Sequence, residues 1–242
     1  MMPIRILLLQ ARDLDDPVRE EERRSFAQNC AVDLDRIETH DLIEGPPSQS
    51  RLQQCDAVMV GGSGDFHVSD RSLPRIDATL DFLAELGDKN IPVFASCFGF
   101  QLMVEALGGS IVHDPIRTEV GTFDLTLTEE GETDSLTGVL PKVFAAQLGH
   151  KDRADRLPDG AVHLVSSELN YYQAFRVPGK PIWATQFHPE LDMATNRQRF
   201  ERYLDGYAKF MTPDERAAAL DGFRDSPETS RLLQQFLSVV FG

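Results

Sequence analysis

The stretch I-P-V-F-A-S-C-F-G-F-Q at residues 91–101 constrains this chain more than any other. Val93, Phe94 and Ala95 form a short apolar run after a proline, the pattern of a strand buried on both faces. From Phe98 onward, Leu102, Met103, Ala106 and Leu107 recur at helical spacing, and the pattern stops at Gly108-Gly109, where a helix C-terminus favours glycine. Cys97 therefore stands where a buried strand turns sharply into a helix. Such a turn lifts a side chain to the carboxyl edge of the sheet, where open α/β sheets place their ligands. Helix N-termini favour a thiolate and leave backbone N–H groups for an oxyanion, and Gly99 lets the backbone pass close beneath. This is the logic of a nucleophile elbow with cysteine as nucleophile. A lone cysteine at such a place can equally be a buried, inert one.

Composition narrows the classes. In 242 residues there are 39 acidic against 24 basic side chains, a net charge of −15 scattered along the chain. That balance serves solubility and argues against a nucleic-acid partner. The three cysteines, Cys30, Cys55 and Cys97, contain no C-x-x-C pair, and the simplest setting is a reducing cytoplasm with free thiols. The opening apolar run is too short for a signal peptide, and no later segment approaches the roughly 20 apolar residues of a membrane span. His40, His67, His113 and His163 lack metal-ligand spacing, so neither metal nor cofactor is expected.

Residues 4–10 read as a buried parallel strand, 18–30 as a charged surface helix, 36–43 as a second strand and 56–60 as a third that runs into G-G-S-G-D. Residues 73–86 form an amphipathic helix, with Leu73, Ile76, Leu80 and Leu83 on one stripe and Gly87 as its stop. Strand and helix alternate up to the elbow, which predicts a parallel sheet with helices on both faces. Beyond Ser110, short strands at 123–128, 143–147, 161–166, 172–177 and 182–186 are spaced closely enough to meet in antiparallel fashion. Residues 128–138 read as a polar turn region, 193–211 as helix, Thr212 to Glu215 as a capping box, and Ser226-Pro227 as the start of a last helix. That helix carries Leu232, Leu233, Phe236, Leu237 and Val240 on one face, a stripe suited to packing on the parent domain.

A cysteine nucleophile needs a base and a group to orient that base. His188 follows the strand I-W-A-T-Q-F, and Glu190 stands two residues on, so in extended backbone both point to one side. The glycines of V-G-G-S-G-D would let a backbone N–H enter the site, and the N–H groups of Gly62 and Phe98 form a candidate oxyanion hole.

These residues carry a resemblance. Cys97-Phe-Gly-Phe-Gln101 is similar to the C-x-G-x-Q elbow of class I (triad-type) glutamine amidotransferases, and Gln186-Phe-His188-Pro-Glu190 to their Q-F-H-P-E motif. Gly61-Gly62 resembles their G-G-P oxyanion strand, with Ser63 where the family often has proline. Gly149-His150-Lys151-Asp152 resembles the H-G-D segment of the glutaminase domain of GMP synthetase. The resemblance implies a flavodoxin-like three-layer αβα fold, mostly parallel, with a smaller antiparallel subsheet and C-terminal helices. It implies one domain over 1–190 and a helical extension over 191–242.

It also implies a Cys97-His188-Glu190 triad that hydrolyses a γ-glutamyl amide through a cysteinyl thioester, with Gly61, Gln101 and His150 lining the substrate pocket. Nothing after Glu190 reads as an ATP-dependent synthetase domain, so ammonia would pass to a separate synthetase chain. A stand-alone γ-glutamyl peptidase or hydrolase would use the same residues, and a silent binding scaffold would retain only the fold.

Overall fold

A computed structural model describes residues 4–204 and 211–242. At its centre is a nine-stranded sheet of order β2-β1-β3-β4-β11-β10-β9-β6-β7, beside a two-stranded sheet, β5-β8. The parallel half contains β1 (Ile6–Ala11), β2 (Ile37–Asp41), β3 (Ala57–Ser63), β4 (Val93–Ser96) and β11 (Ile182–Thr185). All four residues of β4 and all six of β1 are buried, as continuous apolar runs in a doubly covered sheet must be. From β11 the sheet continues antiparallel through β10 (Ala174–Val177), β9 (Val162–Ser167), β6 (Glu119–Leu127) and β7 (Val143–His150). The expected mixed α/β architecture is present, with the antiparallel strands joined edge-on to the parallel ones.

Several details differ from expectation. β3 runs straight through Gly61 and Gly62 to Ser63, so the glycines belong to a strand end more than to a loop. The polar region after Leu127 holds a short helix, α5 (Glu129–Thr133), whose first turn is capped by the Thr128 hydroxyl. Between β2 and β3 runs a one-turn helix, α2 (Gln49–Leu52). Gly87 lies inside α3 (Ile76–Asp88), and the left-handed residue that ends it is Asn90 at φ 52°. Strands β5 (Ser110–His113) and β8 (Asp152–Arg156) were not expected, since D-R-A-D-R has little apolar character. Of the helix expected over 193–211, α6 (Met193–Arg202) is seen, and residues 205–210 lie outside the described residues. The capping box at Thr212 opens α7 (Pro213–Asp221) as expected.

Two cores flank the sheet. On one face α3 and α4 (Phe98–Ala106) pack over β3, β4 and β11. On the other, α1 (Val18–Cys30) and α8 (Leu232–Phe241) cover the sheet, with Phe236 against the rings of Phe94 and Trp183. The apolar stripe of the last helix is thus buried in the sheet core. α1 is not the surface helix its charges suggest. Val18, Glu22 and Phe26 recur at four-residue spacing on its buried side, which places Glu22 in the interior.

The elbow is set by close packing. A Cβ on Gly99 would stand 2.4 Å from the Val60 carbonyl oxygen and 2.8 Å from the Val60 Cβ, so only glycine lets α4 sit this near β3. Gly99→Ala is expected to cost about 1–3 kcal/mol through overpacking. At about 2–4 °C in Tm per kcal/mol for a chain of this size, a thermal melt reads the loss as several degrees. An unchanged Tm would mean that α4 is not held against β3.

Candidate active site

β11 lies parallel to β4, with Thr185 beside Ser96, and the Cys97 N–H donates to the Thr185 carbonyl at 2.8 Å. Both chain segments leave the sheet at the same carboxyl edge, one into the elbow and the other into Gln186-Phe-His188-Pro-Glu190. Cys97 adopts φ 52° and ψ −104°, a conformation that costs a non-glycine residue about 1–3 kcal/mol. Strain of this kind is the mark of a nucleophile elbow. The next residue, Phe98, opens α4, whose first-turn N–H groups have no partner within the helix.

His188 sits beside the thiol. Its Nδ1 donates to Glu190 Oε1 at 2.6 Å, and Cys97 Sγ donates to the Gly149 carbonyl at 3.9 Å. The His188 N–H donates to the Gln147 carbonyl, and Asn29 Nδ2 donates to the Glu190 carbonyl, which fixes both ends of the turn. Burial alone would depress the His188 pKa, but its interactions with Cys97 and Glu190 outweigh it and push it up to about 10. An unfolded histidine titrates near 6.5, so the folded protein holds this extra proton between about 6.5 and about 10. The associated stability is complete below that window and is lost as pH rises through it.

A pocket opens here, and its lining includes Cys97, Phe98, His188, Gly62, Gln101 and His150. Gln101 Nε2 donates to the Asp152 carbonyl at 3.0 Å and to Gln186 Oε1 at 3.2 Å. His150 lines the pocket with both ring nitrogens engaged, Nδ1 with the Asp152 carbonyl and Nε2 with Glu119 Oε2. Burial would raise the Glu119 pKa, but the hydrogen bond and charge contact with His150 outweigh it and hold it low. His67, five residues after Gly62, also lines the pocket.

The strand end expected to supply the oxyanion donor differs from expectation in two respects. The Gly62 N–H donates to the buried Glu22 carboxylate at 3.2 Å, so it is not free to face the thiol in this conformation. Gly61 lies behind the pocket, where an added Cβ would meet Glu22 Oε1 at 2.8 Å, and it is not a lining residue. Ser63 replaces proline with a tether of its own, its hydroxyl donating to the Phe66 carbonyl at 2.7 Å.

Glu22 belongs to a network that no sequence motif announces. Its carboxylate accepts from Gln10 Nε2, Arg12 Nε and Arg12 Nη2, while Arg12 Nη1 donates to the Tyr203 hydroxyl at 2.8 Å. Burial alone would raise the Glu22 pKa, but Arg12 and Arg199 outweigh it and hold it below the usual carboxylate range. Two signals for it exist in the sequence: the stripe that places Glu22 between Val18 and Phe26, and the position of Arg12 one residue past the carboxyl end of β1. Among the described residues no group of three or more His, Cys, Asp or Glu could hold a metal ion, and no helix is long and apolar enough to cross a membrane.

Comparison with known proteins agrees with this geometry. The family model for glutamine amidotransferase class-I matches residues 18–203. The chain is 31% identical over 173 residues to a subunit of the glutamine-hydrolysing GMP synthase of Thermoplasma volcanium, a match that spans 69% of this chain and 79% of that protein. It is 31% identical over 152 residues to the GMP synthase of Thermosipho africanus, a match that spans 62% of this chain but only 28% of that longer protein. The fold superposes on a glutamine amidotransferase from Thermotoga maritima with a TM-score of 0.74 at 19% identity, covering 99% of this chain and 98% of that one. The chain belongs to the class I glutamine amidotransferase family of amide-hydrolysing enzymes.

Proposed function

We propose that Cys97, His188 and Glu190 form a catalytic triad that hydrolyses a γ-glutamyl amide and releases ammonia. The supporting observation is a thiol on a strained elbow beside a buried histidine, itself paired at 2.6 Å with a buried carboxylate. The Cys97 thiolate attacks the γ-carbonyl carbon and forms a C–S bond. As the tetrahedral adduct collapses the C–N bond breaks, and the leaving nitrogen takes its proton from His188. Water, deprotonated by His188, then cleaves the thioester to glutamate and returns the thiol. Phe98 N–H supplies one oxyanion donor, and Gly62 N–H supplies the second once it turns away from Glu22. One such donor contributes about 3–4 kcal/mol in comparable sites. Gln101 shapes the glutamyl pocket, with His150 holding the Asp152 backbone beneath it.

Ammonia set free in this way suits a separate synthetase chain, in line with the relatives that are GMP synthase subunits, and a cytoplasmic setting suits the three free thiols. On this reading residues 1–190 make up the amidotransferase domain and 191–242 a helical extension packed on it.

In an assay of ammonia release from glutamine, Cys97→Ala is expected to abolish turnover with the fold retained by circular dichroism. His188→Ala is expected to lose more than Glu190→Gln, because the base itself contributes more than the group that orients it. Equal losses would show those two roles to be misassigned. The alkaline limb of kcat/KM is expected near pH 10, where His188 loses its proton, and Glu190→Gln should move it to lower pH by removing the charge that holds the proton. An alkaline limb that stays in place in the variant would contradict the pairing.

A further inference from the structure

The His150 wall of the pocket carries a constraint that the chemistry above does not use. The His150 side chain is buried, and both of its ring nitrogens face acceptors: Nδ1 the Asp152 carbonyl at 2.9 Å, and Nε2 the Glu119 carboxylate at 3.0 Å. A carbonyl oxygen can only accept, so Nδ1 carries a proton. Glu119 Oε2 also accepts from Asn170 Nδ2 at 2.8 Å and from Gln173 Nε2 at 2.5 Å, which leaves that oxygen no room for a proton of its own. Asn170 cannot turn its oxygen toward the carboxylate instead, because Nδ2 also donates to the Arg117 carbonyl at 2.9 Å. The bond at Nε2 is therefore donated by His150 as well, to a carboxylate that is fully buried.

The proton on Nδ1 reaches the pocket through the Asp152 carbonyl. That oxygen accepts from His150 and also from Gln101 Nε2 at 3.0 Å, while the second proton of Gln101 Nε2 goes to Gln186 Oε1 at 3.2 Å. Both amide protons of Gln101 are thereby spent on the protein, and its oxygen is the end left for a ligand in the pocket. A neutral imidazole has one proton to give, and the carboxylate is the stronger acceptor. The Nδ1 lone pair would then face the Asp152 carbonyl, a repulsion that pushes the carbonyl, and Gln101 with it, out of line. We infer that Glu119 is a positioning residue for the glutamyl pocket: its carboxylate keeps His150 doubly protonated, and the Nδ1 proton holds the Asp152 carbonyl in place for Gln101. The inference rests on the glutaminase reading proposed above. Among the described residues Glu119 is the one charged side chain bonded to the His150 ring. Cys97, His67 and His188 line the same pocket, Lys151 and Asp152 follow in the chain, and the Asp152 carboxylate is taken by the Ser69 N–H and His113.

The protonation of His150 is read by nitrogen NMR of histidine-labelled protein, with its resonances assigned by their loss in His150→Gln. Two protonated ring nitrogens are expected in the wild type and one in Glu119→Gln at the same pH, since this near-isosteric change removes the charge and keeps the acceptor. A single protonated nitrogen in the wild type would overturn the inference without recourse to any Glu119 variant. In the ammonia-release assay Glu119→Gln is expected to raise KM for glutamine about tenfold, the size of one charge-assisted hydrogen bond, with kcat little changed. Glu119→Asp, which keeps the charge, should recover part of that loss. Calorimetry with glutamine on Cys97→Ala, which needs no turnover, should show the same drop in affinity when Glu119→Gln is added. An unchanged KM and affinity, or a loss confined to kcat, would overturn the positioning role. So would a loss in Glu119→Gln with two protonated nitrogens still on His150, which would assign Glu119 to the fold. The NMR and binding measurements do not depend on catalysis, so a wild-type protein that released no ammonia would count against the triad alone.

Discussion

The parallel pairing of β4 with β11 is the constraint on which the rest of the site depends. It carries two segments far apart in the sequence to one sheet edge, with Thr185 beside Ser96, and ties the elbow directly to the second strand through the Cys97 N–H. Once both strands end at the same level, His188 reaches the thiol with no further adjustment than a short turn pinned by Gln147 and Asn29. Close approach of α4 to β3 at Gly99 then leaves Cys97 only its strained backbone. Hydrophobic burial on both faces of the sheet supplies the free energy that keeps this conformation in place.

A second dependence runs through charge. Glu22 is fully buried, and a lone carboxylate there would be costly. It is satisfied by Gln10, by Arg12 and by the amide of Gly62, with Arg199 near at hand, so one carboxylate links β1, the oxyanion strand and α6. Truncating one member of such a network leaves another charge uncompensated, which makes its parts strongly non-additive. In the proposed mechanism the same carboxylate competes with the substrate oxyanion for the Gly62 N–H, so the geometry of the β3 end and the electrostatics of the pocket wall are one problem.

Much of this was legible in the residues themselves. The elbow, the strand before His188 and the alternation of strand and helix rest on local apolar runs and glycines, and local patterns are what a sequence displays. β5, β8 and α5 were hidden for the opposite reason. D-R-A-D-R pairs through its backbone with two of its five residues exposed, and the α5 cap is a single threonine hydroxyl. The buried network was the larger omission. Glu22 lies on a helix whose charges suggest solvent, and only its four-residue spacing from Val18 and Phe26 places it inside. The fixing of His150 by Glu119, Asn170 and Gln173 depends on tertiary contacts across β6, β7 and the loop before β10, for which no short motif exists.

The most direct test is the intact mass of the protein quenched in acid shortly after mixing with glutamine and, separately, with γ-glutamylglycine, alongside Cys97→Ser. A γ-glutamyl adduct that maps to Cys97 and is absent as a thioester in the variant is the predicted result. Release of ammonia or glycine without any Cys97 adduct, or an adduct on Cys30 or Cys55, would contradict the assignment of the elbow thiol as the nucleophile.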